Sequence, residues 1–241
     1  MPNLSNFTLA DMTRCGAELR QLGEGCRSME EAANRLVRHL FENLVDEETG
    51  EKNCAMVRFY KTHTYGELEA DLQDFAADIL GKTPESPTTK CLVLLGTVGE
   101  KEQWNSGVNS AGHRAIPLPS ETVVDRFPMI SQLVRQFGLK VGTLVDPSPS
   151  LLVDLEQRTY SVFYVPEALG SSYIPAQEDF VVPYRIRSVS GFGGLLPSAS
   201  LFSIIMFSKV LIPQQTADLF STVALNVKLA VLPFDDGRVF A

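Results

Sequence analysis

The sequence predicts an α+β fold in which a central antiparallel sheet carries flanking helices and has an additional helix between its first two strands. Three observations predict it. Apolar runs such as CAMVRFY (54–60), CLVLLGTVG (91–99) and LFSIIMF (201–207) have the length and alternation of strands. Segments with a helical apolar period lie before and between them, bounded by capping residues and glycines. The stretch SVSGFGGLLPSASLFSIIMFSK (188–209) joins two β-type runs through a turn rich in Gly, Pro and Ser, the pattern of an antiparallel hairpin. A phosphate loop needs its glycines where a strand meets a helix N-terminus. The run GFGG (191–194) meets a second strand instead, and no lysine follows at phosphate-loop spacing. These glycines are expected to bend a sheet.

The elements follow in order. In 6–22, Met12, Cys15, Leu19 and Leu22 make a narrow helical stripe that ends at GEG (23–25). Ser28 and Glu31 form a capping-box pattern ahead of a broad stripe that includes Leu36, Val37, Leu40 and Phe41. After the turn at 46–53 comes the strand 54–60. A second capping-box pattern, Thr64 to Glu67, introduces a helix over 65–80 on which Leu68, Leu72, Phe75 and Ile79 share a face. The strand 91–99 leads into a long polar segment, 100–119, with the single tryptophan. Ser120 opens a helical stretch with Ile130, Leu133, Val134 and Phe137, closed by Gly138. KVGTLVD (140–146) reads as a short strand, and 151–165 is ambiguous before becoming β-like from Thr159. Residues 166–184 carry three prolines and little period, a loop with one irregular helical turn. After the hairpin, the last helix starts near Pro213 with two apolar stripes. Phe220, Val223, Val227 and Val231 form one, and Leu225, Leu229 and Leu232 the other.

Composition narrows the function classes. With 241 residues, 44% of them hydrophobic, and a mean hydropathy of +0.03, the chain can bury a large core. The net charge of −8 and the dispersed basic residues argue against nucleic-acid binding. No basic leader with an apolar stretch and no membrane-length apolar run is read, so no membrane span and a cytoplasmic location are expected. Cys15, Cys26, Cys54 and Cys91 form no CxxC pair, which removes zinc-ribbon and thioredoxin-type chemistry. Of three histidines, His39 reads as part of a solvated helix face and His63 as a turn or cap residue. No Ser–His–acid order stands out, so no catalytic residue is assigned.

The order RIRSVSGFGG, then PSASLFSIIMFSK, then VLIPQQTADLFSTVALNVKLA resembles the C-terminal half of a GAF domain, most clearly over 154–232. The helix at 65–80 is a departure, because a plain GAF domain has a tight hairpin there. The whole chain is also similar to GAF-like input segments that stand ahead of PAS and histidine-kinase modules in bacterial signalling proteins. The resemblance implies a PAS-like plan: a central antiparallel sheet, helices on a dimer side, and a ligand cavity on the other side under irregular loops. It implies a noncatalytic sensory or regulatory domain over 28–234, a helical dimerisation segment over 1–27, a tail over 235–241, and a histidine-kinase or PAS output partner. No cysteine neighbours a histidine, as covalent bilin attachment requires; the cavity cysteines of the free-methionine sulfoxide reductases that resemble this fold cannot be mapped; and the cyclic-nucleotide signature NKFDE is missing. Haem ligated by His113 stays open as a cofactor, since one histidine can be an axial ligand.

Candidate ligand residues fall in two groups. In the polar segment, Trp104, Asn105, His113 and Arg114 offer an apolar wall and a charged anchor for a carboxylate or phosphate. A second surface is offered by Tyr160, Tyr164, Tyr173, Tyr184, Arg185 and Arg187, with the cavity placed beneath 160–184. Two alternatives stand beside the sensor: a small-molecule enzyme using the 104–114 loop, and a ligand-free dimerisation module. A parallel homodimer is expected through Met12, Leu19 and Leu22 of the first helix and Leu225 and Leu229 of the last.

Overall fold

The computed structural model describes residues 2–109, 113–142 and 161–241. Its helices are α1 (Leu9–Gln21), α2 (Met29–Asn43), α3 (Ala70–Leu80), α4 (Glu121–Val124), α5 (Pro128–Gln136) and α6 (Gln214–Val231). The strands are β1 (Cys54–Thr64), β2 (Lys90–Gly99), β3 (Ala115–Pro117), β4 (Ser161–Val165), β5 (Ser188–Leu195) and β6 (Leu201–Ser208). They form one antiparallel sheet in the order β3-β2-β1-β6-β5-β4, with α3 between β1 and β2 in sequence. Residues 110–112 and 143–160, which include Tyr160, most of the expected 140–146 strand and the ambiguous 151–160 stretch, lie outside the described residues.

The period of two gives the sheet two apolar faces. Val57 and Phe59 of β1, Phe192 of β5, and Phe202, Ile204 and Met206 of β6 point to the side covered by α2 and α6. Met56, Tyr60, Val189, Ile205 and Phe207 point to the opposite side, beneath α4, α5 and the 166–187 segment. In the β5–β6 hairpin the glycines let backbones approach. A Cβ on Gly193 would stand 2.0 Å from the carbonyl oxygen of Phe202, so only a glycine fits the contact these strands make there.

By length and composition α6 with the turn after it, Gln214–Phe234, is apolar enough to cross a membrane, yet one face of it is buried inside the fold. Phe220, Val223 and Val227 are fully buried, and the Phe220 ring lies 5.0 Å from both Phe7 and Phe192. α1, capped by Thr8 and Asp11, packs on α6 of the same chain. Gly23 makes that crossing close: a Cβ there would meet the Ala230 carbonyl oxygen at 2.0 Å. Leu4, Phe7 and Leu19 thereby join the main core, so residues 4–22 pack with the domain. His39 contacts Glu18 of α1 at 3.1 Å.

The segment 235–241 is also integral. Asp235 accepts hydrogen bonds from the Ser198 N–H (2.9 Å) and hydroxyl (2.6 Å), and its carboxylate lies 3.8 Å from the buried Lys61 ammonium. The carbonyls of Arg238 and Val239 accept from the first N–H groups of α2, at 3.1 and 2.9 Å. These donors have no partner inside the helix, which is why the 238–239 backbone can serve as their cap. Ser28 accepts from the Glu31 N–H, but the Glu31 side chain turns to the Arg27 N–H rather than closing the expected box.

At the end of β1 the sequence reading needs two corrections. Thr64 caps no helix; it ends β1 opposite Lys90, a 3-10 turn follows at Tyr65–Glu67, and α3 begins only at Ala70. His63 is therefore a buried strand residue, 6% exposed, not a turn residue. The stretch after Ser120 is two helices, not one. Pro128 has no N–H to continue α4 and disfavours a helical Phe127, and it instead takes the first position of α5.

Candidate functional site

The sheet face away from α2 and α6 is not filled by its cover. A cavity of about 370 Å³ lies between that face and the segments 126–130 and 173–180. Its floor is Met56, Arg58 and Tyr60 of β1 with Ile205 and Phe207 of β6; Leu92 and Ile116 extend it toward the β2–β3 edge. Trp104, His113 and Tyr173 stand on its walls with Phe127, Met129 and Phe180.

One side chain ties the first part of the cover together. The Gln177 amide donates to the carbonyls of Ile174 (2.7 Å) and Ala168 (3.1 Å), while its oxygen accepts from the Gly170 N–H (2.8 Å). From there the backbone makes a π-helical turn over Gln177–Val181, with the N–H of Val182 bonded to the Gln177 carbonyl at 2.9 Å. Such wide turns are rare and occur often at functional sites. This one presents Phe180 to Trp104, Tyr184 and Phe207 as an aromatic cluster with ring centroids 4.5 to 6.0 Å apart.

The charged groups on the cavity wall are basic. Arg58 is 8% exposed, and its guanidinium donates to the Tyr60 hydroxyl at 3.2 Å. Arg126 stands on the α4–α5 side. His113, an exposed residue at the cavity wall, adopts a left-handed backbone, φ 64°, and its imidazole is held below the usual pKa by partial desolvation and by the nearby Arg58 charge. No Asp or Glu stands among the described lining residues. Among the described residues no group of three or more His, Cys, Asp or Glu is placed to hold a metal ion. Burial pushes the thiols of Cys15, Cys54 and Cys91 up to about 12, far from the thiolate form a nucleophile needs.

The expected site residues therefore separate. Trp104, His113 and Tyr173 line the cavity. Tyr184 does not, but it supports Trp104 at 4.5 Å and lies under the Lys101 ammonium. Asn105 ties its loop to the end of β2, accepting from the Gly99 N–H and donating to the Gly99 carbonyl. Arg114 is taken by Asp71 of α3 at 2.6 Å and lies over the Phe75 ring, so it is not the anchor expected in this loop. Tyr164 points to the helix side of β4, where its hydroxyl donates to the Ile212 carbonyl. Arg185, φ 54°, and Arg187 are exposed and line a separate polar groove with Lys52, Lys209, Asp46 and Glu51.

Arg58, Tyr60 and Arg126 escaped the sequence reading as ligand residues. The available signal was Arg58 itself, a charge inside CAMVRFY. A long cation in a strand with apolar neighbours on both sides either snorkels to water or faces a cavity.

The five expected dimer residues also differ in kind. Leu19 is fully buried within its own chain, Met12, Leu22 and Leu229 are half-buried, and Leu225 is exposed. Leu232 and Leu211 are also exposed. Fold and cavity together define an α+β domain with a cavity of small-molecule size on the sheet face opposite its main helices. No protein-family model matches the chain, and no curated protein matches it.

Proposed function

We propose that the chain is a noncatalytic sensory domain of GAF-like type that acts in bacterial cytoplasmic signalling by binding a small molecule in this cavity. The observation that carries the reading is the cavity itself: about 370 Å³, walled mainly by apolar and aromatic side chains with a few polar groups. Those are the properties of small-molecule sites in general. The resemblance over 154–232 expects a cavity on this side, beneath an irregular cover. An enzyme reading has less support, because neither a thiolate, a metal cluster nor a paired acid and base stands at the cavity among the described residues.

In this reading the ligand stabilises the cover 166–187 by mass action, and that cover runs directly into β5, which packs on α6. The exposed Leu225 and half-buried Leu229 of α6 carry the change to a second copy of the chain and to a histidine-kinase or PAS output module. The test is a thermal-shift screen of small molecules on the wild-type protein and on Ile205→Trp, which fills the cavity floor. Compounds that raise the wild-type melting temperature should have no effect on the variant. A screen whose hits act equally on both proteins places binding elsewhere and sinks the reading.

A further inference from the structure

We infer that the groove bearing Arg185 and Arg187 is a second binding site, separate from the cavity, that takes the phosphate group of a phosphate monoester. The inference is independent of the small-molecule reading above.

Strand register builds the groove. Where β1 begins, β6 ends and β5 begins, Cys54 and Ser188 both pair with Ser208. The residues just outside those pairs are fixed by backbone bonds, from the Arg187 N–H to the Ser208 carbonyl and from the Lys209 N–H to the Asn53 carbonyl, each at 2.7 Å. Arg187, Lys209 and Lys52 are thereby brought to one end of the sheet, and Arg185 joins them on a left-handed backbone, φ 54°. Such a backbone is uncommon for a residue with a side chain and recurs at functional sites. The space these residues border is about 360 Å³.

Charge decides what enters. The wall carries four cations and two carboxylates, in a chain whose net charge is −8. Lys209 is paired with Glu100 at 2.6 Å, and Lys52 lies over the Phe41 ring at 4.2 Å. Asp46 is turned into its own loop, where it accepts from the N–H groups of Glu48 and Thr49 and from the Asn3 amide. Glu51 is exposed, so water screens its charge. Arg185 and Arg187 are also exposed, and among the described residues neither guanidinium has a hydrogen-bond or ion-pair partner.

Geometry decides the class. A guanidinium presents paired N–H donors that match two oxygens of an oxyanion. A carboxylate fills one such fork, whereas two forks on one groove suit the three free oxygens of a phosphate monoester. Val210 is the one apolar side chain among the described lining residues, so the groove reads the phosphate rather than its carrier.

The experiment is a titration of the 241-residue chain with inorganic phosphate and with acetate at matched ionic strength, followed by its backbone amide resonances. Phosphate should shift Lys52, Arg185, Arg187 and Lys209 saturably and bind at least about tenfold more tightly than acetate. Arg185→Gln with Arg187→Gln should keep the circular dichroism spectrum and weaken phosphate at least about tenfold. Arg187→Lys keeps the charge and loses the fork, and should weaken phosphate at least about threefold. Equal affinity for acetate and phosphate, or unchanged phosphate affinity in either variant, would overturn the inference. Ile205→Trp should bind phosphate as wild type does; a loss there would put the anion in the cavity and overturn the groove as its site. Glycerol 3-phosphate and a phosphoserine peptide tell the sources apart. Equal affinity for the two assigns a soluble small molecule, a peptide at least about tenfold tighter assigns a phosphorylated protein partner, and binding of neither overturns the ligand class.

Discussion

Replacing His63 by Phe should remove a defined acid sensitivity from the fold. His63 lies in β1 with 6% exposure, its ring 5.4 Å from Phe240 and its Nε2 buried without a hydrogen-bond partner. Burial first, and then the charges of Lys61 and Lys90, push its pKa down from 6.5 to about 3. Below pH 6.5 the unfolded chain therefore takes up a proton at this site and the folded chain does not. Stability must fall as pH falls through the window from 6.5 toward 3, with a limiting slope of about 1.36 kcal/mol per pH unit. At about pH 5 the loss from this one group is about 2 kcal/mol relative to about pH 7.5, and that figure needs only a folded pKa well below 5. Carboxylates add little above pH 5, because their ordinary range lies lower. His113, also held below its usual value, contributes equally to both proteins and cancels in the comparison. Urea unfolding followed by circular dichroism at the two pH values is the assay. The wild-type loss should exceed that of His63→Phe by about 2 kcal/mol. Equal losses would mean that His63 is protonated in the folded state, and the burial argument for the Lys61–His63–Phe240 contact would fail.

Asp235→Ala leaves the buried Lys61 ammonium and the Ser198 N–H and hydroxyl without this carboxylate; calorimetry should show a loss of about 3 kcal/mol, mostly recovered in Asp235→Ala with Lys61→Met. Gln177→Ala removes the amide that holds the cover, so exchange of the amide hydrogens over 168–181 should accelerate by at least about tenfold while β1 and β6 keep their protection. Leu225→Asp with Leu229→Asp should leave the circular dichroism spectrum intact, because Leu225 is exposed and Leu229 half-buried, but shift a wild-type dimer to monomer in sedimentation. A wild-type protein that is already monomeric at micromolar concentration removes the dimer from the proposal.

The sheet was legible because alternation is a local property. CAMVRFY and LFSIIMF carry their two faces in sequence, and the hairpin was marked by the glycines that its strand spacing requires. Boundaries were less legible where a long-range partner outweighed a local pattern. Thr64 and Glu67 have capping-box spacing, yet pairing with Lys90 carries β1 through Thr64. For the site, the aromatic wall was legible in Trp104 and Tyr173, because bulky residues in low-period segments need something to cover. Arg114 misled because its partner, Asp71, is 43 residues away on α3. Tyr164 misled because parity along β4 separates it from Phe163, and only the packing of α6 decides which parity faces the helices. The same dependence on packing hid Arg58, whose meaning rests on the cover across the sheet failing to fill the space above it.

The central claim, that this cavity is where the chain binds its ligand, is tested most directly by the fluorescence of Trp104, the single tryptophan, which stands on the cavity wall. Titration with a compound that raises the wild-type melting temperature should change its emission saturably, with the same dissociation constant that calorimetry gives, and Ile205→Trp with Trp104→Phe should show neither the calorimetric heat nor a fluorescence change. Calorimetric binding that leaves Trp104 emission unchanged, or that survives the filling of the cavity, would contradict the account.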